Sequence, residues 1–221
     1  VRMKEARRFE LDGSVRNADL SDLFPPGSWM YRNSNGTLTS RFRVSGAPGD
    51  LGSLNGEIKG RFDQLILAYF PEIEGIEKIA RPEALESPIV VEPFEFTAPV
   101  EDGRIVVREI TLKSQGMDLN INGFIDLEGD VDLDLDLVLK DEALRGFLQD
   151  VFGEVYRQVG IGNKNELTIP LEVRGDIESP RLIVRRSEVN TNFRKNLVEN
   201  FFSRPIGKPI NELLDELFLI D

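Results

Sequence analysis

The chain contains no cysteine and no histidine. Without cysteine there is no disulfide framework and no thiolate chemistry. Without histidine the commonest general base and the commonest zinc ligand are both missing. Both absences weigh against an enzyme, and no catalytic residue, cofactor or metal is expected. Basic charge is also in short supply: 27 Lys and Arg against 39 Asp and Glu give a net charge of -12. Nucleic-acid phosphates need a basic surface, so nucleic acid is not an expected partner. The same balance gives no general attraction to anionic lipid headgroups. No apolar run approaches the roughly 20 residues of a membrane-spanning helix. No signal peptide is visible. The chain opens at Val1-Arg2-Met3 in mid-pattern, as expected of a segment excised from something longer whose anchor or targeting sequence lies elsewhere.

What is present is alternation. From Met117 to Leu139, Leu119, Ile121, Gly123, Ile125, Leu127, Val131, Leu133, Leu135 and Leu137 hold odd positions, while Asp118, Asn120, Asn122, Asp126, Asp130, Asp132, Asp134 and Asp136 hold even ones. Strand side chains alternate between faces, so this is a ribbon with one oily and one acidic side. The parity survives the turn at Glu128-Gly129-Asp130. That predicts a hairpin with a three-residue or bulged turn, pairing Leu127 with Val131 and Ile125 with Leu133.

The same reading predicts strands around Phe9–Val15, Leu38–Val44, Leu54–Phe62, Ile89–Val91, Phe94–Ala98, Arg104–Lys113, Leu167–Ile177 and Arg181–Arg186. Pro93 suggests an edge or bulge between two of them, and Pro180 a break between two others. One helical turn is expected over Asp19–Phe24 and a short helix over Pro71–Ala80, on the spacing of Ile73, Ile76 and Ile79. An amphipathic helix is expected over about 142–159, with Leu144, Phe147, Leu148, Val151, Phe152 and Val155 on one face. A helical tail follows, with Phe193, Leu197, Phe201, Leu213, Leu217 and Phe218 as its apolar residues. The expected organisation is a β-rich domain over 1–186, either one unit or two sub-units meeting near 71–93, and an amphipathic tail over 187–221. The fold class is mainly β: a curved antiparallel sheet forming a groove or an incomplete barrel or sandwich. A short form recurs at Leu11–Val15, Leu54–Ile58, Ile121–Ile125 and Val173–Ile177, each with glycine on the apolar face. Glycine there allows close approach or sharper curvature.

The D-x-D-x-D run at Asp130–Asp136 invites a calcium reading. Alternate strand residues lie ~6.6 Å apart, too far for several to chelate one ion, so a solvated outer face is the better account. Arg104, Arg108 and Lys113 are expected to screen it. Lys140, Asp141, Glu142 and Arg145 are explained by helix capping and surface pairing. Arg181, Arg185 and Arg186 fit either an anion site or ordinary polar strand positions. The tail, Phe193–Phe218, packs back on the sheet, lies on a membrane or docks a partner; packing back is the default. The oily face is either a sandwich core or a groove whose lining is covered by acyl chains.

Three stretches resemble the C-terminal region of the AsmA-like family of bacterial envelope proteins. Phe94–Val107 resembles its strands around an Asp-Gly turn, here Asp102-Gly103. Gly116–Leu139 resembles its glycine-marked strand and repeated Asp-Leu strand, and Leu167–Leu182, with Ser179-Pro180-Arg181, its closing pair. The resemblance implies an envelope protein, usually anchored in the inner membrane, that carries phospholipid or another envelope lipid between membranes along a repeating β-groove. The expected lining is Ile121, Ile125, Leu133, Leu135, Leu137, Ile169, Leu171 and Val173. A structural or assembly module whose tail docks a partner is the alternative.

Overall fold

The computed structural model describes residues 8–23, 26, 29–67, 73–74, 88–140, 146 and 166–185. Alternation governs almost all of them. The strands are β1 (Phe9–Asp19), β2 (Ser34–Gly46), β3 (Asn55–Leu67), β4 (Ile73–Glu74), β5 (Ile89–Val90), β6 (Phe94–Glu101), β7 (Arg104–Ser114), β8 (Met117–Asp126), β9 (Asp130–Lys140), β10 (Glu166–Asp176) and β11 (Arg181–Val184). They form one open sheet in the order β1-β2-β3-β6-β7-β8-β9-β10-β11-β4, with β5 paired to β3. Neighbours are antiparallel except β11 and β4, which are parallel. Two short helices, α1 (Leu20–Leu23) and α2 (Trp29–Asn33), bridge β1 and β2. The first is the expected helical turn. The expected helix over 142–159 lies outside the described residues, save for Gly146, which is helical. The expected tail also lies outside them.

Two expectations are corrected. Ile73 and Glu74, placed in a helix by their spacing, form a strand against Leu182 and Ile183. There, an exposed backbone edge outweighs a weak helical period. In the central hairpin, Ile125 pairs with Val131 and Gly123 with Leu133, two residues from the expected register. The parity is unchanged. The loop is Leu127-Glu128-Gly129. Asp126 Oδ1 accepts from the Glu128 N–H at 2.8 Å, and the Gly129 N–H donates to the Asp126 carbonyl at 3.0 Å. Gly129, at φ +113°, supplies the left-handed backbone that closes the turn.

The sheet curls. From β3 to β4 there are seven inter-strand steps, about 34 Å if flat at ~4.8 Å each. Yet the chain passes from Leu67 to Ile73, a reach of at most about 21 Å. Leu67 on β3 and Leu137 on β9 also line one cavity of about 10 Å³, although a flat sheet would hold those strands about 19 Å apart. Bulges bend the strands. They fall between Val15 and Ala18, Asn35 and Thr37, and Val107 and Ile110. Residues of positive φ sit in or opposite them: Asn17 at +48°, Gln64 at +54° and Glu109 at +52°.

One seam divides the sheet. β6 and β7 pair only through Val100–Ile105 and Glu101–Arg104, at the Asp102-Gly103 turn. Farther along β7, it is the segment preceding β6 that makes contact: Val91 bridges Ser114 and the Glu92 N–H donates to the Lys113 carbonyl at 2.8 Å.

Candidate functional site: the apolar face of the sheet

Register places the apolar residues in rows across neighbouring strands, one of them running from β1 to β10. Leu11, Val44, Gly56, Val100, Ile105, Ile125, Val131 and Gly175 are successive partners from β1 to β10. A second row on the same face runs Val107, Gly123, Leu133, Val173 and Leu182, and a third runs Ile110, Ile121, Leu135, Leu171 and Val184. Leu112, Leu119, Leu137 and Ile169 make a fourth. All the expected lining residues therefore share one face. Their burial differs. Leu135, Leu137, Ile169 and Leu171 are 4%, 1%, 3% and 0% exposed, whereas Ile121, Ile125, Leu133 and Val173 are half-buried.

The first strands carry the same face with other side chains. Phe42, Ile58, Phe62, Phe94 and Phe96 are half-buried, and Leu11 and Phe9 are 51% and 37% exposed. Phe62 stacks between Phe94 and Phe96, at 5.2 and 5.4 Å between centroids. The rings lie across glycines: a Cβ on Gly13 would stand 2.4 Å from the Phe42 ring, and one on Gly60 2.6 Å from the Phe96 ring. The repeated glycine on the apolar face thus seats an aromatic neighbour at Gly13. At Gly123 it admits a neighbouring strand instead. There a Cβ would stand 2.2 Å from the Asp132 carbonyl oxygen, at φ +130°.

The opposite face is polar. Its acidic ladder is clamped from β10. Arg174 reaches Asp132 at 2.8 Å, Asp134 at 2.9 Å and Glu172 at 3.4 Å, and it donates to the Leu133 carbonyl at 2.7 Å. Burial pushes the Arg174 guanidinium pKa down. The hydrogen bond to Asp134 and the charges of Glu172, Asp132 and Asp134 outweigh it, so the net shift is upward. Arg185 pairs with Asp136. The screening residues expected from sequence are elsewhere: Arg104 pairs with Asp126 and Arg108 with Glu101, while Lys113 stands opposite Asp118. The reason is topological, since β8 separates β7 from the ladder on β9. Lys140 pairs with Asp118. Among the described residues no cluster of three or more potential metal ligands is placed to hold an ion, and no helix is long and apolar enough to cross a membrane.

The aromatic part of the face went unremarked in sequence. Its signal was present in Arg41-Phe42-Arg43 and Gly60-Arg61-Phe62, where rings and cations alternate as strictly as leucine and aspartate do later. Comparison with known proteins finds no matching family model, no matching curated protein and no matching solved structure.

Proposed function

We propose that the chain is a lipid-handling segment of the AsmA-like type, with a groove that holds the acyl chains of phospholipid or another envelope lipid against the apolar face. One observation carries this reading: a single apolar face runs from β1 to β10, and on its β1–β3 and β6 side Phe9 and Leu11 are exposed and Phe42, Ile58, Phe62, Phe94 and Phe96 only half-buried. Each CH₂ withdrawn from water onto such a face contributes ~0.8 kcal/mol, so an acyl chain is held without any cofactor or chemical step. Entry would be from the half-buried side, past Leu11, Phe42 and Phe62, toward Ile125, Leu133 and Val173. On this reading the protein works in the cell envelope, at the periplasmic side of an inner-membrane anchor, with Phe193–Phe218 available for a membrane or protein contact.

Lipid extraction and native mass spectrometry of the gently purified chain test this. Co-purified phospholipid is the expected result. Its absence, together with failure to take lipid from vesicles, removes the reading. A second reading is a closed structural module of the envelope whose tail docks a partner. The near-complete burial of Leu137, Leu139, Leu171 and Leu182 favours it, and it requires no bound lipid.

A further inference from the structure

The polar face of β1, β2, β3 and β6 carries a notch of about 500 Å³. Two rows of side chains border it across the backbone of Val15, Ser40, Gly60 and Phe96. Ser14, Arg41, Lys59 and Thr97 are successive register partners, and Thr39, Arg61 and Glu95 form the other row, beside Arg16. In a chain of net charge -12, this border reverses the sign: Arg16, Arg41, Lys59 and Arg61 face Glu95 alone among the lining residues.

Existing partners decide which cations are available. Lys59 holds Glu57 at 2.7 Å, and Arg61 holds Asp63 at 2.9 Å and Glu95 at 3.5 Å. In the next row outward, Arg43 is committed to Asp12 at 2.9 Å. The hydrogen bond and charge of Asp12, then the charge of Glu10, raise its pKa. The Arg16 and Arg41 side chains make no ion pair or hydrogen bond among the described residues, and neither do the Ser14 and Thr97 hydroxyls. Two guanidiniums and two hydroxyls bordering one notch suit the tetrahedral oxygens of phosphate, which arginine binds through two parallel N–H donors.

We propose that this notch binds a phosphate-bearing group, with Arg16 and Arg41 as its principal contacts and Lys59, Ser14 and Thr97 around them. It lies on the face opposite the apolar rows, so it stands independently of the acyl-chain reading. Either could fail alone.

The test uses the whole chain. Inorganic phosphate is titrated calorimetrically, and flotation is measured with vesicles of phosphatidylcholine alone and with added phosphatidylglycerol. The variants are Arg16→Gln/Arg41→Gln and, with the same change in net charge, Arg104→Gln/Arg108→Gln on β7. Circular dichroism confirms that each is folded. Saturable phosphate binding that weakens at least tenfold in the first variant, and less than twofold in the second, supports the site and identifies free phosphate as a ligand. Flotation only with phosphatidylglycerol, lost in the first variant alone, supports it with a lipid headgroup as the source. No binding of either probe, or an equal loss in both variants, overturns it.

Discussion

Strands β1–β3 and β6 carry the same alternation as β7–β11, but the two groups bury it differently. In the second group, leucine, isoleucine and valine stand in adjacent rows, and the centre of the face is sealed, with Leu171 at 0% and Leu137 at 1% exposure. In the first, phenylalanine rings lie across glycines of neighbouring strands, and the face is half-buried at Phe42, Ile58, Phe62, Phe94 and Phe96 although Ala98 and Val100 beside them are sealed. The polar sides differ in the same direction. The second group clamps an acidic ladder with Arg174 and Arg185, while the first leaves Arg16 and Arg41 unpaired among the described residues. The short β6–β7 pairing lies between them. Binary pattern fixes which side of a strand is oily, whereas side-chain shape and what packs above decide whether that side is sealed.

The largest expected effect lies in the sealed group. Leu171→Ala should lower the unfolding free energy by about 3–4 kcal/mol, since the side chain is fully buried and its loss adds a cavity term to the transfer term. Phe62→Ala, in the half-open group, should cost about 1–2 kcal/mol, because part of its ring is already in water. Urea midpoints with unchanged slope measure both. Equal losses would erase the contrast between the groups.

Gly123→Ala comes next, at about 2–3 kcal/mol. A side chain at φ +130° is strained, and the new Cβ meets the Asp132 carbonyl of β9. Thermal unfolding measures the cost. A loss below about 0.5 kcal/mol would mean that β8 and β9 can separate there without penalty. Arg174→Met follows, at about 1–2 kcal/mol. It keeps the apolar stem and removes the clamp. Its carboxylate partners are 49%, 49% and 31% exposed, so screening holds the effect to this range and added salt should shrink it further.

These positions also mark how far sequence reasoning reached. The faces of the strand residues Met117–Asp126 and Asp130–Leu139 were legible, because a strand's side-chain period is two and one buried face enforces it; Leu127, expected opposite Val131, lies in the turn. The partner of each strand residue was not legible. The Asp126–Glu128 contact and the backbone of Gly129 set the three-residue loop one position earlier, at Leu127–Gly129, sliding the register by an even number that parity cannot detect. Ile73 was misread for a related reason: its pairing with Leu182 needs the far edge of the sheet brought round toward β3, and no local pattern records that. Ile121, Ile125, Leu133, Leu135, Leu137, Ile169, Leu171 and Val173, grouped by alternation, share one face of the sheet. That Leu135 and Leu171 are sealed while Leu133 and Val173 are half-buried depends on overlying atoms, which alternation does not encode. The notch at Arg16 and Arg41 was missed because its cations come from separate strands and are diluted by a strongly acidic chain.

The smallest effect on stability is the sharpest on function. Leu11 begins the row that crosses the sheet to Gly175, and it is 51% exposed. Leu11→Ser should change stability by no more than about 0.5 kcal/mol, because little apolar surface is lost from the folded core. The same substitution places a hydroxyl where an acyl chain would cross the edge of β1, so lipid recovered per mole of protein should fall at least twofold relative to Leu51→Ser. Leu51 is comparably exposed, at 48%, but lies outside the strand rows. Equal recovery in both variants would mean that lipid, if present, does not pass over β1, and entry would then have to be sought at the half-buried pair Leu133 and Val173.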